Sequence, residues 1–195
     1  MPSPQLIVVT GLPASGKSTL ATALAQRLRA PVIGKDMIKE PLFEVLGTGD
    51  RAHSRQLSTA SFAIQFAVAR ELLASDRTVI LEGNFRPGEH ERPLLEALPE
   101  DCDPAVAIAQ VLCRVEESER LARLRRRAFD PGRHSGHRDA ELALTSTHGG
   151  GEFLDLPGKR LERSAGASQA GHEELAAILD TLAILAAADV NSRTV

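Results

Sequence analysis

Short, continuously apolar runs alternating with amphipathic stretches predict an α/β protein, a three-layer sandwich around a parallel five-stranded sheet. Three observations carry this: the β-branched run at 5–10 (QLIVVT), the glycine-rich turn directly after it, and an amphipathic segment opening at Lys17. A strand covered by helices on both faces needs no polar alternation, which separates it from the half-solvated strand of an antiparallel sheet.

The remaining elements follow in order. Leu20, Leu24 and Leu28 recur every four positions among alanines and predict a helix over 17–29, stopped before Pro31. Val32, Ile33 and Gly34 form a second short strand, and Asp36 is a candidate cap for a helix over 37–46. The cluster 47–50 (GTGD) breaks the chain, and Leu57, Phe62, Phe66, Ala69 and Leu73 then space a long helix over 53–75, closed by Asp76. Residues 78–81 (TVIL) predict the third strand, 105–112 the fourth, 116–128 a strongly charged helix, and 160–163 a final strand before a helix over 173–187. Residues 129–138 carry Gly, Pro, His and Arg without a period and read as a surface loop. Strands alternating with helices imply right-handed crossovers. Phe43, Phe62 and Phe66 are expected in the core or a pocket wall.

Residues 11–18 (GLPASGKS) fit the pattern G-x-x-x-x-G-K-[ST], which chance places in about one chain in a hundred of this length. The chemistry explains the pattern. Small residues let consecutive backbone N–H groups converge on phosphate oxygens while the following helix adds its positive end. Gly11, Leu12, Pro13, Ala14, Ser15, Gly16, Lys17, Ser18 and Thr19 are therefore expected to bind ATP. Lys17 would reach the β and γ phosphates, and Ser18 would offer its hydroxyl to Mg²⁺.

The motif GLPASGKST, together with Asp36 after the second strand, VILEGNF at 79–85 and the arginine-rich segment 120–138, resembles the small P-loop kinases of the nucleotide-kinase-like superfamily. That group includes zeta-toxin-like, chloramphenicol phosphotransferase-like and polynucleotide kinase-like proteins. The resemblance implies ATP-dependent phosphoryl transfer with Mg²⁺, and it implies that Asp36 accepts the proton of the acceptor hydroxyl. It also implies a LID over about 123–140, in which Arg123 and Arg127, four apart on one helical face, meet the nucleotide and Arg133 stabilises the transferred phosphoryl group. Lys17, Asp36, Arg127 and Arg133 are thus the candidate catalytic residues. In open parallel sheets ligands gather beyond the carboxyl ends of the strands. This places Glu82 toward the acceptor or a Mg²⁺-bound water, and Lys39, Asn84 and Arg86 beside Asp36 as acceptor contacts. Residues 37–75 are expected to form much of the acceptor pocket.

At 195 residues the chain suits one domain, 1–195. A net charge of −3 gives no general attraction to nucleic acid or membranes, no apolar run reaches a membrane span, and the N-terminus does not read as a signal peptide, so a cytoplasmic protein is expected. Cys102 and Cys113 read as reduced thiols. His134 and His137 lack an accompanying carboxylate or thiol in sequence and make a poor zinc site; a ligand contact within the loop is the stronger reading. The expected partners are ATP and a small molecule bearing a hydroxyl, such as an antibiotic, sugar or nucleoside. An ATPase switch is the alternative of different class, but the strand ending Ile80-Leu81-Glu82 is not the usual Asp or Asp-Glu ending. A nucleic-acid end kinase ranks lower because residues 36–75 carry mixed charge.

Overall fold

The computed structural model describes residues 5–100, 102–144, 151–164, 177–178 and 180–182. Its sheet has five strands, all parallel: β1 (Leu6–Gly11), β2 (Val32–Gly34), β3 (Val79–Glu82), β4 (Ile108–Arg114) and β5 (Lys159–Ser164). Their order across the sheet is β2-β3-β1-β4-β5, so β1 lies centrally, pairing Val9 with Glu82 of β3 and Gly11 with Cys113 of β4. The α/β fold read from the sequence is the observed one.

The two-residue period of a strand sends neighbouring side chains of β1 to opposite layers. Ile7 and Val9 pack with Leu20, Ala21 and Leu24 of helix α1 (Lys17–Leu28), joined by Ile178 and Leu182. Leu6 and Val8 face the other way, onto Phe62, Phe66, Ala69 and Leu73 of the long helix α3 (Arg51–Ala74), with Phe85, Leu94, Leu154 and Leu156 completing that layer. Each fully buried leucine contributes about 2 kcal/mol by leaving water, so these two clusters hold both helical layers to the sheet.

Two buried amides supply connections that apolar packing cannot. The Gln65 amide of α3 donates to the carbonyls of Ile33 (2.6 Å) and Glu82 (3.0 Å), tying α3 to the ends of β2 and β3. On β4, Gln110 exchanges hydrogen bonds with the backbone of Leu154 (accepting at 3.1 Å) and donates to Leu156 (3.4 Å).

Several boundaries differ from the sequence reading. Helix α2 (Lys35–Leu46) begins directly after β2 with Gly34 as its N-cap, so Asp36 lies in the first turn and caps nothing. Asp50, read only as part of a chain break, is the cap that starts α3, accepting from the His53 amide at 2.8 Å. Pro104, whose fixed φ suits a first helical turn, opens the short α5 (Pro104–Ala107) and delays the fourth strand to Ile108. A five-residue helix α4 (Glu91–Leu95) was not foreseen. The charged helix is α6 (Glu117–Ala128), and the loop after it ends in a 3₁₀ turn (Ser135–His137) and helix α7 (Asp139–Leu142). Most of the helix expected over 173–187 lies outside the described residues; 177–178 and 180–182 are helical. Cys113 is buried, Cys102 is half-buried, and they form no disulfide. Among the described residues no helix is long and apolar enough to cross a membrane.

Candidate active site

The turn between β1 and α1 is shaped by its backbone. Gly11 has φ +142°, and a Cβ there would be driven into the Cys113 carbonyl of β4; Gly16 (φ 89°) and Ala14 (φ 67°) also adopt left-handed conformations. These torsions curl the loop around the amino end of α1 with its N–H groups turned inward, the concave arrangement that favours anions. The Lys17 ammonium donates to the Leu12 carbonyl at 2.8 Å, holding the loop closed. Burial lowers the Lys17 pKa, opposed chiefly by the charge of Glu82. The buried Ser15 hydroxyl has no hydrogen-bond partner. A strained glycine turn, a buried lysine on the first turn of a helix and an orphaned hydroxyl in the loop before it fit a nucleotide's phosphates.

Leu12, Lys17 and Ser18 line a cavity of about 450 Å³ with Asp36, Glu82 and Arg133. Pro13, Ala14, Gly16, Lys39, Asn84, Arg86 and Arg127 border it as well, so most of the candidate residues meet in one place. Gly11, Ser15 and Thr19 are not among the lining residues: Gly11 and Ser15 are buried in the loop, and Thr19 is exposed on α1. Arg123 is not among the lining residues; it donates to the Ala14 carbonyl (3.3 Å) and pairs with Glu119 (2.7 Å), so α6 braces the loop.

Three carboxylate environments result. Glu82 sits at the end of β3, where burial raises its pKa despite the nearby Lys17 charge and the neighbouring Ser18 hydroxyl. That Ser18–Glu82 pair is an oxygen-rich position of the kind a hard divalent cation takes. Burial also acts to raise Asp36, but His137, Lys35, Arg133 and Lys17 together overcome it and hold its pKa below the usual carboxylate value. Asp139, the third, is buried and bonds Arg133 at 2.9 Å.

Arg133 does not stand off in a loop. Its guanidinium lies 3.3 Å from Asp36 and 3.6 Å from Glu40, so the 129–142 segment is seated directly over α2. His137 adds a 2.6 Å hydrogen bond to Glu40, with its other ring nitrogen 3.8 Å from Asp36, and His134 bonds Glu44 at 2.9 Å while stacking on Phe43. The sequence argument that these histidines lack an accompanying carboxylate is thereby corrected: Glu40 and Glu44 are 90 or more residues away in sequence but adjacent in space. Among the described residues no group of three or more His, Cys, Asp and Glu is arranged to hold a metal ion.

The sequence reading missed Lys35, Arg51, Arg55 and Arg138, all of which line this cavity. Arg51 and Arg55 are four apart on α3, with Ser58, Phe62 and Phe66 continuing the same stripe; that helical spacing was the available signal.

A profile of the AAA domain family matches residues 6–145, the span that holds this loop and every candidate residue. The chain belongs to that family. No curated protein matches it. Among solved structures, this AAA-domain protein is similar to a provisionally named kinase from Chloroflexus aurantiacus, with 29% identity and a TM-score of 0.77 over 93% of this chain and 97% of that one. It also shares its fold with a sugar kinase from Janibacter (13% identity, TM-score 0.57, 95% and 98% covered). The APS kinase of Mycobacterium tuberculosis, solved with AMPPNP and APS, is a further fold relative (18% identity, TM-score 0.54, 94% and 99% covered). The fold is thus the P-loop, nucleotide-kinase-like one; the narrower grouping with zeta toxin and chloramphenicol phosphotransferase remains a resemblance of motifs.

Proposed function

We propose that this protein transfers the γ-phosphoryl group of ATP to a hydroxyl of a small-molecule acceptor. The observation that carries the reading is the convergence of Lys17, the Ser18–Glu82 pair, Asp36 and Arg133 on one cavity at the carboxyl ends of β1, β2 and β3. ATP supplies the phosphoryl group and Mg²⁺ neutralises its charge. Residues 11–19 hold the phosphates through backbone N–H groups and Lys17; Ser18, with Glu82 through water, holds the metal. Asp36, kept ionised by the cations around it, takes the acceptor proton. Arg127 and Arg133 offset charge on the transferred group, with residues of about 123–140 acting as a LID and 37–75 as the acceptor-binding region. Lys39, Asn84 and Arg86 contact the acceptor. The kinases in the same fold, one of them solved with a nucleotide analogue, support this reading.

The test pairs two variants with a labelled-ATP screen of metabolites and antibiotics. Lys17→Ala should reduce phosphoryl transfer at least a hundredfold, and Asp36→Asn should keep ATP binding while lowering acceptor phosphorylation comparably. Brisk acceptor-independent hydrolysis that ignores Asp36→Asn would instead establish an ATPase switch.

A further inference from the structure

Beyond the phosphate-binding loop the groove continues into a second cavity of about 530 Å³, which shares Lys35, Arg55, Asn84 and Arg86 with the first and includes no residue of the loop. Its wall is aromatic: Phe62 and Phe66 of α3 stack at 6.0 Å, and the His90 ring lies 4.3 Å from Phe62. Its charge is lopsided. Four cations, Lys35, Arg55, Arg70 and Arg86, face two carboxylates, and both carboxylates are engaged, Glu89 with Arg86 (3.5 Å) and Glu96 with Arg92 (2.7 Å).

Lys35 lines both cavities, and Lys39, one turn further along α2, lines the first beside it. Lys39 is 5% exposed, and its ammonium has only the Ser54 hydroxyl at 2.9 Å and the Phe43 ring at 4.9 Å. The Lys35 ammonium lies 5.8 Å over Phe62. Among the described residues neither lysine has a carboxylate within ion-pairing distance, and burial lowers both pKa values. Burial outweighs the attraction of Asp36 and Glu82 for Lys35, and burial with the Lys35 charge outweighs that of Asp36 for Lys39, so both ammonium groups are costly as they stand and an anion bound beside them would offset that cost. Residues 36–75 look electrically mixed along the chain, yet the helical period turns the cations of α3 toward the groove and leaves Glu71 outside both linings.

We propose that the acceptor is itself a small anion: a hydroxyl compound whose phosphate or carboxylate is held by Lys35, Lys39 and Arg55 while its body lies against Phe62 and Phe66. The proposal rests on the kinase reading and adds the chemical class of the acceptor. The anionic group docks at the junction of the cavities, and the hydroxyl is presented to Asp36, next to Lys35 on the first turn of α2. The lysines also shield the acceptor's charge from the incoming γ-phosphoryl group. A cavity of this size suits a small molecule better than a nucleic-acid strand.

Isothermal calorimetry on protein loaded with Mg²⁺ and AMPPNP tests this with four probes: glycerol 3-phosphate, glycerate, glycerol and an oligonucleotide with a free 5′-hydroxyl. One of the two small anions should bind at least tenfold more tightly than glycerol, and the better one distinguishes a phosphate from a carboxylate seat. Lys39→Met and Arg55→Gln, shown to be folded by circular dichroism, should each weaken that binding at least tenfold. The proposal is overturned if both anions bind no better than glycerol, if both variants bind them as the wild type does, or if only the oligonucleotide binds. Loss of AMPPNP binding in the wild type would sink the kinase reading alone, because the same anion titrations on nucleotide-free protein, compared with Lys39→Met, still report on the seat.

Discussion

Lys39 buries an ammonium group whose pKa falls from 10.5 to about 8, mainly by desolvation and further by the neighbouring Lys35 charge. At about 1.4 kcal/mol per pK unit this is a cost of roughly 3 kcal/mol for keeping the group charged in the folded state, and screening by solvent in the open cavity halves it to roughly 1.5. Replacing the side chain with the similar-sized Met removes that cost and forfeits the hydrogen bond to Ser54, which contributes about 1 kcal/mol. Lys39→Met should therefore stabilise the ligand-free protein at pH 7 by about 0.5 to 2 kcal/mol, the reverse of the usual outcome for a substitution at a buried site. The dependence on pH is the sharper signature. Between pH 8 and 10.5 the unfolded chain holds a proton on Lys39 that the folded chain has released, so the stability of the wild type rises across that window. The advantage of the variant should vanish within that window and reverse by about pH 10.5, leaving the variant less stable by about the 1 kcal/mol of the lost Ser54 hydrogen bond. Urea unfolding at pH 7 and pH 10, in buffer free of phosphate so that no anion binds the folded state, measures both quantities. A variant less stable than the wild type at pH 7, or a difference that stays constant with pH, would refute the assignment of Lys39 as a charge buried without a counter-ion.

Gly11→Ala should cost at least about 3 kcal/mol in the same assay, since φ +142° and the Cys113 carbonyl both oppose a side chain. Gly88→Ala, at φ +80° with nothing within 4 Å, is the matched control and should cost only about 1 to 2 kcal/mol; equal losses would show that torsion alone governs Gly11. Burial lowers the pKa of His137 from 6.5 against the pull of Asp36 and Glu40 and with the help of Arg133. Its contribution to stability is thus present above pH 6.5 and lost as pH falls through its folded-state value. The wild type should lose more stability than His137→Gln between pH 7 and 5; parallel unfolding profiles would remove His137 from the seating of the 129–142 segment over α2.

The fold was legible because its signals are local. Unbroken apolar runs such as 6–9 mark doubly covered strands, and G-x-x-x-x-G-K-S marks the turn after the first of them. The phosphate side of the site was legible for the same reason. Residues brought in by packing were not. Lys35 sits next to a recognised aspartate, but that no described carboxylate comes within ion-pairing distance of it is visible only once α2 and α3 are packed together. Glu40 and Glu44 approach His137 and His134 only because the segment after α6 folds back over α2. Arg123 and Arg127 share the spacing expected of them, yet only Arg127 lines the cavity, since one turn of helix decides which of the two bonds the loop.

The Gln65 amide has a consequence for how such a protein diversifies. By bonding to Ile33 and Glu82 at once, it anchors the middle of α3 to the two strand ends from which the chemistry projects. Residues on either side of that anchor, such as Arg55, Thr59 and Arg70, are exposed on the groove face and can be exchanged without shifting Asp36 relative to Glu82. Substitutions there would change the shape and charge of the groove while leaving Asp36, Glu82 and the loop at 11–18 where they are.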